Sequence, residues 1–147
     1  MAIAIWKPGR RIFSSAAILM LLLAAAHTAG NLAGGPLEPR EEKLFADMAA
    51  LRTPLGMGMS PSMKDIYFYL GWTASITVGA LGLINLSLAA ISETPDRVLR
   101  CVSWVNAVWV GAFLILSWVY RIPPPLISLV VIETVVVASL LKRSPNT

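Results

Sequence analysis

A single cysteine, Cys101, excludes an intramolecular disulfide within these 147 residues and any cysteine-built zinc or iron–sulfur cage. A single histidine, His27, excludes a His-rich metal site or a two-histidine haem site unless a second copy or a partner supplies the rest. Charge is scarce as well: 14% of the residues are Asp, Glu, Lys or Arg, against about 25% in an average soluble protein. The net charge of +4 is spread over segment ends, with no basic face and no interleaved aromatic platform, so no nucleic-acid partner is expected. No metal or nucleotide motif stands out, and no cofactor is expected.

What is abundant is apolar. Hydrophobic residues make up 56% of the chain, more than a soluble domain of this length can hide in one core. Four apolar segments are visible, at about residues 12–29, 66–91, 98–120 and 123–141. Each is near the ~20 residues that cross ~30 Å of hydrocarbon as a helix, the form that satisfies backbone groups internally. The expected fold is all-α: one integral membrane domain over residues 1–147, a four-helix bundle running up-down-up-down because its later connections are short. The first segment has a rival reading as a signal peptide, with Lys7, Arg10 and Arg11 ahead of an apolar run ending in Ala24, Ala25 and Ala26. The reading taken here is a retained span.

Positive residues set the expected topology. With the N-terminus cytoplasmic, the inside holds Lys7, Arg10, Arg11, Arg97, Arg100, Lys142 and Arg143. The outside holds Arg40, Lys43, Arg52, Lys64 and Arg121, four of them in the long loop of about residues 30–64, where charge counts less. Both termini are therefore expected inside, in a multi-pass protein of the inner (plasma) membrane. Within that loop Leu44, Phe45, Met48 and Leu51 fall at helical spacing with charge on the other side, an amphipathic helix ended by Thr53-Pro54. The strip Gly56-Met57-Gly58-Met59-Ser60-Pro61 reads as loop, with a lid or contact surface as the alternative. Thr94-Pro95 reads as an N-cap with proline at the first helical position.

The residues that carry chemistry are few. Glu133 interrupts the last apolar segment, and a charge there costs roughly 2.5–3.5 kcal/mol on insertion scales. It reads as a protonated interhelical contact, as an acid or base in a cavity for a lipophilic substrate, or as part of a proton path. Asn106 and Asn85 are its expected partners, with Trp109 at comparable depth. Asp65 completes a capping-box pattern with Ser62 and alternatively is a functional carboxylate. His27 is either a general acid or base or a helix-end residue satisfied locally. Tyr69 lies one turn after Asp65, within hydrogen-bond reach of it, and with Trp72 belongs to the interfacial aromatics. Gly71, Ser75, Gly79 and Gly82 form a small-residue stripe that lets another helix approach closely.

The stretch from Ser60 to Gly71, with Asp65-Ile66-Tyr67-Phe68-Tyr69-Leu70-Gly71 opening the second segment, resembles a group of small uncharacterised bacterial four-span inner-membrane proteins. His27 and Pro123 stand where a histidine and a proline recur in that group. The topology is also loosely similar to DoxX-like proteins. The resemblance implies the architecture and no activity.

Together these readings point to an intramembrane site for a lipophilic small molecule. Glu133, Asn106 and Trp109 would lie inside it and His27, Asp65 and Tyr69 at its mouth; for an enzyme, the fitting chemistry is proton transfer, such as isomerisation or cyclisation, on a lipid- or isoprenoid-like substrate. The alternatives are a non-catalytic subunit of a larger membrane complex or a homo-oligomer, and a proton-coupled transport component.

Overall fold

In the computed structural model, which describes residues 8–33, 38–91, 93–121 and 123–142, every apolar segment of the sequence is helical. Lys7 and Arg143, two of the topology-setting charges, lie outside the described residues. The elements are α1 (Pro8–Leu32), α2 (Pro39–Ala50), α3 (Met63–Ala90), α4 (Asp96–Val119) and α5 (Pro123–Leu141). Helices α1, α2 and α5 begin on a proline, whose fixed φ and missing N–H suit the first turn. The start of α4 differs from expectation: Pro95 is itself the cap, extended at φ −61° and ψ 142°, and the helix begins at Asp96.

Helices α1, α3 and α4 are long and apolar enough to cross a membrane; the apolar stretch of α5, Pro125–Leu141, is shorter. Between 22% and 28% of the most apolar window of each long helix is buried within the chain. The remaining apolar surface needs a non-aqueous surrounding, which marks a membrane protein.

The chain divides into two compact units, Ala24–Thr77 and a second made of residues 1–23 with 78–147. In the second, α1 buries Phe13, Ala16, Ala17 and Met20, one helical face. Phe13 forms a core with Ala89 and Leu99, against which Leu88 and Val102 pack. Gly82 lets α3 approach α1: a Cβ there would stand 2.9 Å from Leu21 Cγ and 3.1 Å from the Ala17 carbonyl. Arg10 is buried and donates from Nη1 to the carbonyls of Ala89 (3.1 Å) and Ile91 (2.6 Å), and from Nη2 to that of Thr94 (2.8 Å).

Helix α4 buries Leu99, Ser103, Asn106, Val110 and Ser117, and α5 buries Leu129, Ile132, Val136, Ser139 and Leu140. From Leu99 to Val110 and from Leu129 to Ser139 the rows advance by three and four residues, the spacing of an interhelical seam. Ser139 Oγ lies 3.2 Å from Ser103 Oγ, and Glu133 Oε1 lies 3.8 Å from the Cβ position of Gly111. As α4 advances from Ser103 to Gly111, its neighbour recedes from Ser139 to Glu133, so the pair is antiparallel.

The unit Ala24–Thr77 holds the end of α1, α2, a hairpin over residues 52–62 and the start of α3. Helix α2 docks through Phe45, whose ring is 5.9 Å from that of Tyr67 and 6.0 Å from that of Phe68. Lys64 Nζ stands 5.8 Å above the same ring, a cation–π arrangement.

Candidate functional site

His27 and Asn31 stand one turn apart on α1, and Gly71 and Ser75 one turn apart on α3. His27 Nδ1 is 2.7 Å from the buried Ser75 Oγ and 3.4 Å from Asn31 Nδ2. Ser75 Oγ can donate to or accept from this nitrogen, while the amide nitrogen of Asn31 can only donate to it. Asn31 lies over Gly71, with Oδ1 3.6 Å from the Cβ position. The small-residue stripe thus does two jobs: Gly71 makes room for a polar side chain, and Ser75 anchors the imidazole.

Beside this group is a cavity of about 230 Å³ lined by His27, Asn31, Tyr67, Phe68, Leu70 and Gly71. It combines an aromatic and aliphatic wall with one imidazole and one amide, the make-up of a site that fixes a small apolar molecule by a few polar contacts. Of the residues expected at a site mouth, His27 is in it. Tyr69 is 67% exposed and Trp72 36% exposed, and neither lines the cavity.

Asp65 is tied to Ser62 in a reciprocal capping box. Ser62 donates from its amide (3.0 Å) and its hydroxyl (2.7 Å) to Asp65 Oδ2, and the Asp65 amide donates to Ser62 Oγ (3.1 Å). Among the described residues no hydrogen bond joins Asp65 to Tyr69.

Glu133 belongs to the other unit. It is half-buried against Gly111 of α4, and its Oε2 is buried without a hydrogen-bond partner among the described residues. The expected bonds to Asn106 and Asn85 are not among those formed. Asn85 is 1% exposed, donates from Nδ2 to Met20 Sδ at 3.5 Å, and leaves Oδ1 unpaired. Asn106 is buried in the α4 seam. Trp109 is half-buried and packs on Phe113 at 4.5 Å between ring centroids.

Asn31 and Phe68 are site residues that the sequence did not single out. The pairing of two i, i+4 doublets, His27/Asn31 with Gly71/Ser75, is the pattern that carries them. Among the described residues no three or more of His, Cys, Asp and Glu gather where they could hold a metal ion. Comparison with protein-family models, with curated proteins and with solved structures finds no match to this chain.

Proposed function

We propose that this is a multi-pass inner-membrane protein, akin to the small four-span bacterial proteins its layout resembles, that binds a lipophilic small molecule at the cavity beside His27. The single observation that carries this reading is the cavity itself: about 230 Å³, lined by Tyr67, Phe68 and Leu70 together with His27 and Asn31. That volume is below the ~300–1,000 Å³ of sites for drug-sized ligands. It suits a ring-sized head group whose tail lies in lipid. His27 is the one cavity-lining side chain able both to donate and to accept a proton through its ring nitrogens. Glu133 is then an interhelical contact of α4 and α5.

The test is the lipophile retained when the protein is purified from its own membrane in mild detergent and extracted with organic solvent. Wild-type protein and Glu133→Gln should carry it alike. His27→Ala should lose occupancy about tenfold, the equivalent of ~1.4 kcal/mol for one lost polar contact, and Gly71→Leu should exclude it by filling the cavity. Equal extracts from all four proteins would sink the reading.

A second reading is a non-catalytic subunit of a larger membrane complex. Leu44 of α2, 56% exposed outside the long apolar helices, favours it. Under this reading the protein co-purifies with unlike chains; if it runs alone or only with itself, the subunit role is lost.

Both termini are placed on the cytoplasmic side because Arg97 and Arg100 flank the short α3–α4 connection. Cys101 is exposed and unique, which makes it a topology probe. A membrane-impermeant maleimide should leave Cys101 unlabelled in intact cells and label it in inverted vesicles. In a Cys101→Ser background, Ser60→Cys should show the reverse. Labelling of Cys101 from outside intact cells would invert the topology.

A further inference from the structure

The connection between α2 and α3 folds as a hairpin that runs directly into a long apolar helix. Isolated antiparallel bridges pair Arg52 with Ser62 and Gly56 with Met59. Backbone bonds run from Thr53 N to Pro61 O (3.0 Å) and from Leu55 N to Met59 O (3.1 Å), and Met59 N to Gly56 O (2.9 Å) closes the turn. The last bond, from Met63 N to Leu51 O (2.9 Å), is made by the first residue of α3. No linker therefore separates the hairpin base from Met63–Ala90, a helix long and apolar enough to cross a membrane. Tyr67 and Tyr69, in the second turn of that helix, are exposed aromatics of the kind that sit at the headgroup level. At about 1.5 Å of rise per residue they lie ~6–9 Å along the helix from Met63. At about 3.3 Å per residue the arm from Arg52 to Gly56 reaches ~13 Å, enough to bring the tip to the same level.

The tip is apolar and bare. Leu55 is 57%, Met57 91% and Met59 50% exposed, all at the turn or beside it. The ends of the hairpin are charged, and of one sign. From Arg52 to Lys64 the charged residues are Arg52 and Lys64 themselves. Arg52 donates from Nη1 to the Ser60 carbonyl at 3.4 Å, and Lys64 Nζ stands over the Phe45 ring, so both cations are held at the base. The first carboxylate after Lys64, Asp65, is engaged in its capping box. An apolar tip with a cationic base matches the order of groups met on entering a bilayer, phosphate first and hydrocarbon below it.

We infer that the hairpin is a lipid-binding wedge: Leu55, Met57 and Met59 insert at the headgroup–acyl boundary of the leaflet in which α3 starts, with Arg52 and Lys64 at the lipid phosphates. Insertion by about 5–10 Å, the depth of an interfacial amphipathic element, covers these side chains. The occupant is lipid because the hairpin is continuous with α3 and because its flanking charge complements an anionic headgroup layer. The wedge gives the connection between α2 and α3 a hold on the membrane separate from that of the long helices.

The test uses full-length protein carrying Cys101→Ser and Met57→Cys, labelled with an environment-sensitive NBD maleimide. It is reconstituted alone into nanodiscs of phosphatidylcholine and phosphatidylglycerol. The same label after Glu42→Cys, an exposed position on α2, is the water-facing reference. Lipid carrying a doxyl group at the top of its acyl chain should quench the label at position 57 about twofold. Aqueous iodide should quench it less than half as strongly as the label at position 42. Adding Leu55→Ser and Met59→Ser should reverse both readings with unchanged helical circular dichroism. A label at position 57 that iodide reaches as fully as at position 42, with no doxyl quenching, would put the tip in water, where only an unlike partner could cover it. Shielding from both quenchers would make a second copy of the chain the cover. Either result overturns the inference, as does doxyl quenching that survives the serine substitutions, which would belong to the label and not to the tip.

Discussion

Arg10→Ala is expected to lower the thermal unfolding midpoint of the detergent-solubilised protein by roughly 10 °C, at ~2–4 °C per kcal/mol for a chain of this size. The Arg10 side chain is 4% exposed and reaches three backbone carbonyls, Ala89, Ile91 and Thr94. These are acceptors at and just past the C-terminus of α3, where helix carbonyls lack intrahelical donors and the partial charge is negative. Each bond from a charged donor contributes about 1.5–3 kcal/mol. The unpaired, buried Nε works against that gain, so a net loss of about 3 kcal/mol is expected rather than the sum. Arg10→Lys should recover less than half of it, because an ammonium lacks the planar fork that spans separate acceptors. A midpoint for Arg10→Ala within 2 °C of wild type in a thermal melt followed by circular dichroism would show that the clasp contributes nothing.

The second large effect belongs to Gly82. Its Cβ position is 2.9 Å from Leu21 Cγ, 3.0 Å from Leu21 Cδ2 and 3.1 Å from the Ala17 carbonyl oxygen. The Leu21 side chain can rotate, but the Ala17 carbonyl belongs to the α1 backbone and moves only with the helix. Gly82→Ala should therefore cost about 2 kcal/mol, within the usual range for overpacking. Gly82→Leu, which demands far more room, should abolish the folded, monodisperse peak in size-exclusion chromatography. Gly111→Ala is the control, since its Cβ would meet only Glu133 Oε1 at 3.8 Å, an ordinary contact. Equal stability of Gly82→Ala and Gly111→Ala would mean that α1 and α3 tolerate a wider separation than the structure has.

The helices were legible because their signal is local. Runs of apolar residues ended by Pro, Gly or charge locate α1, α3, α4 and α5 to within a few residues. The capping box at Ser62 and Asp65 is likewise a four-residue pattern, and it forms. The hairpin was not legible: its partners Arg52 and Ser62 show no strand alternation, and positive φ at Met57 is invisible in a residue type that rarely adopts it. The Arg10 clasp was read only as a topology charge, because its acceptors are backbone carbonyls about 80 residues away. Glu133 stood out by chemistry alone, yet composition cannot say that it faces a glycine. The His27 cavity was half visible: the histidine is unique, but Asn31 matters only once Gly71 and Ser75 are seen beneath it.

The division of the chain sets an order of assembly during synthesis. The unit Ala24–Thr77 is one uninterrupted stretch, so its contacts can form as soon as that stretch has been translated. The other unit draws on both sides of it. Arg10 must wait for Thr94 to emerge, and at ~5–20 residues per second that delay is several seconds. During it the newly made α1 holds a guanidinium and a Phe13-lined face with no acceptors and no core to join. The Arg10 clasp and the Phe13 core are therefore among the last contacts of the fold to close.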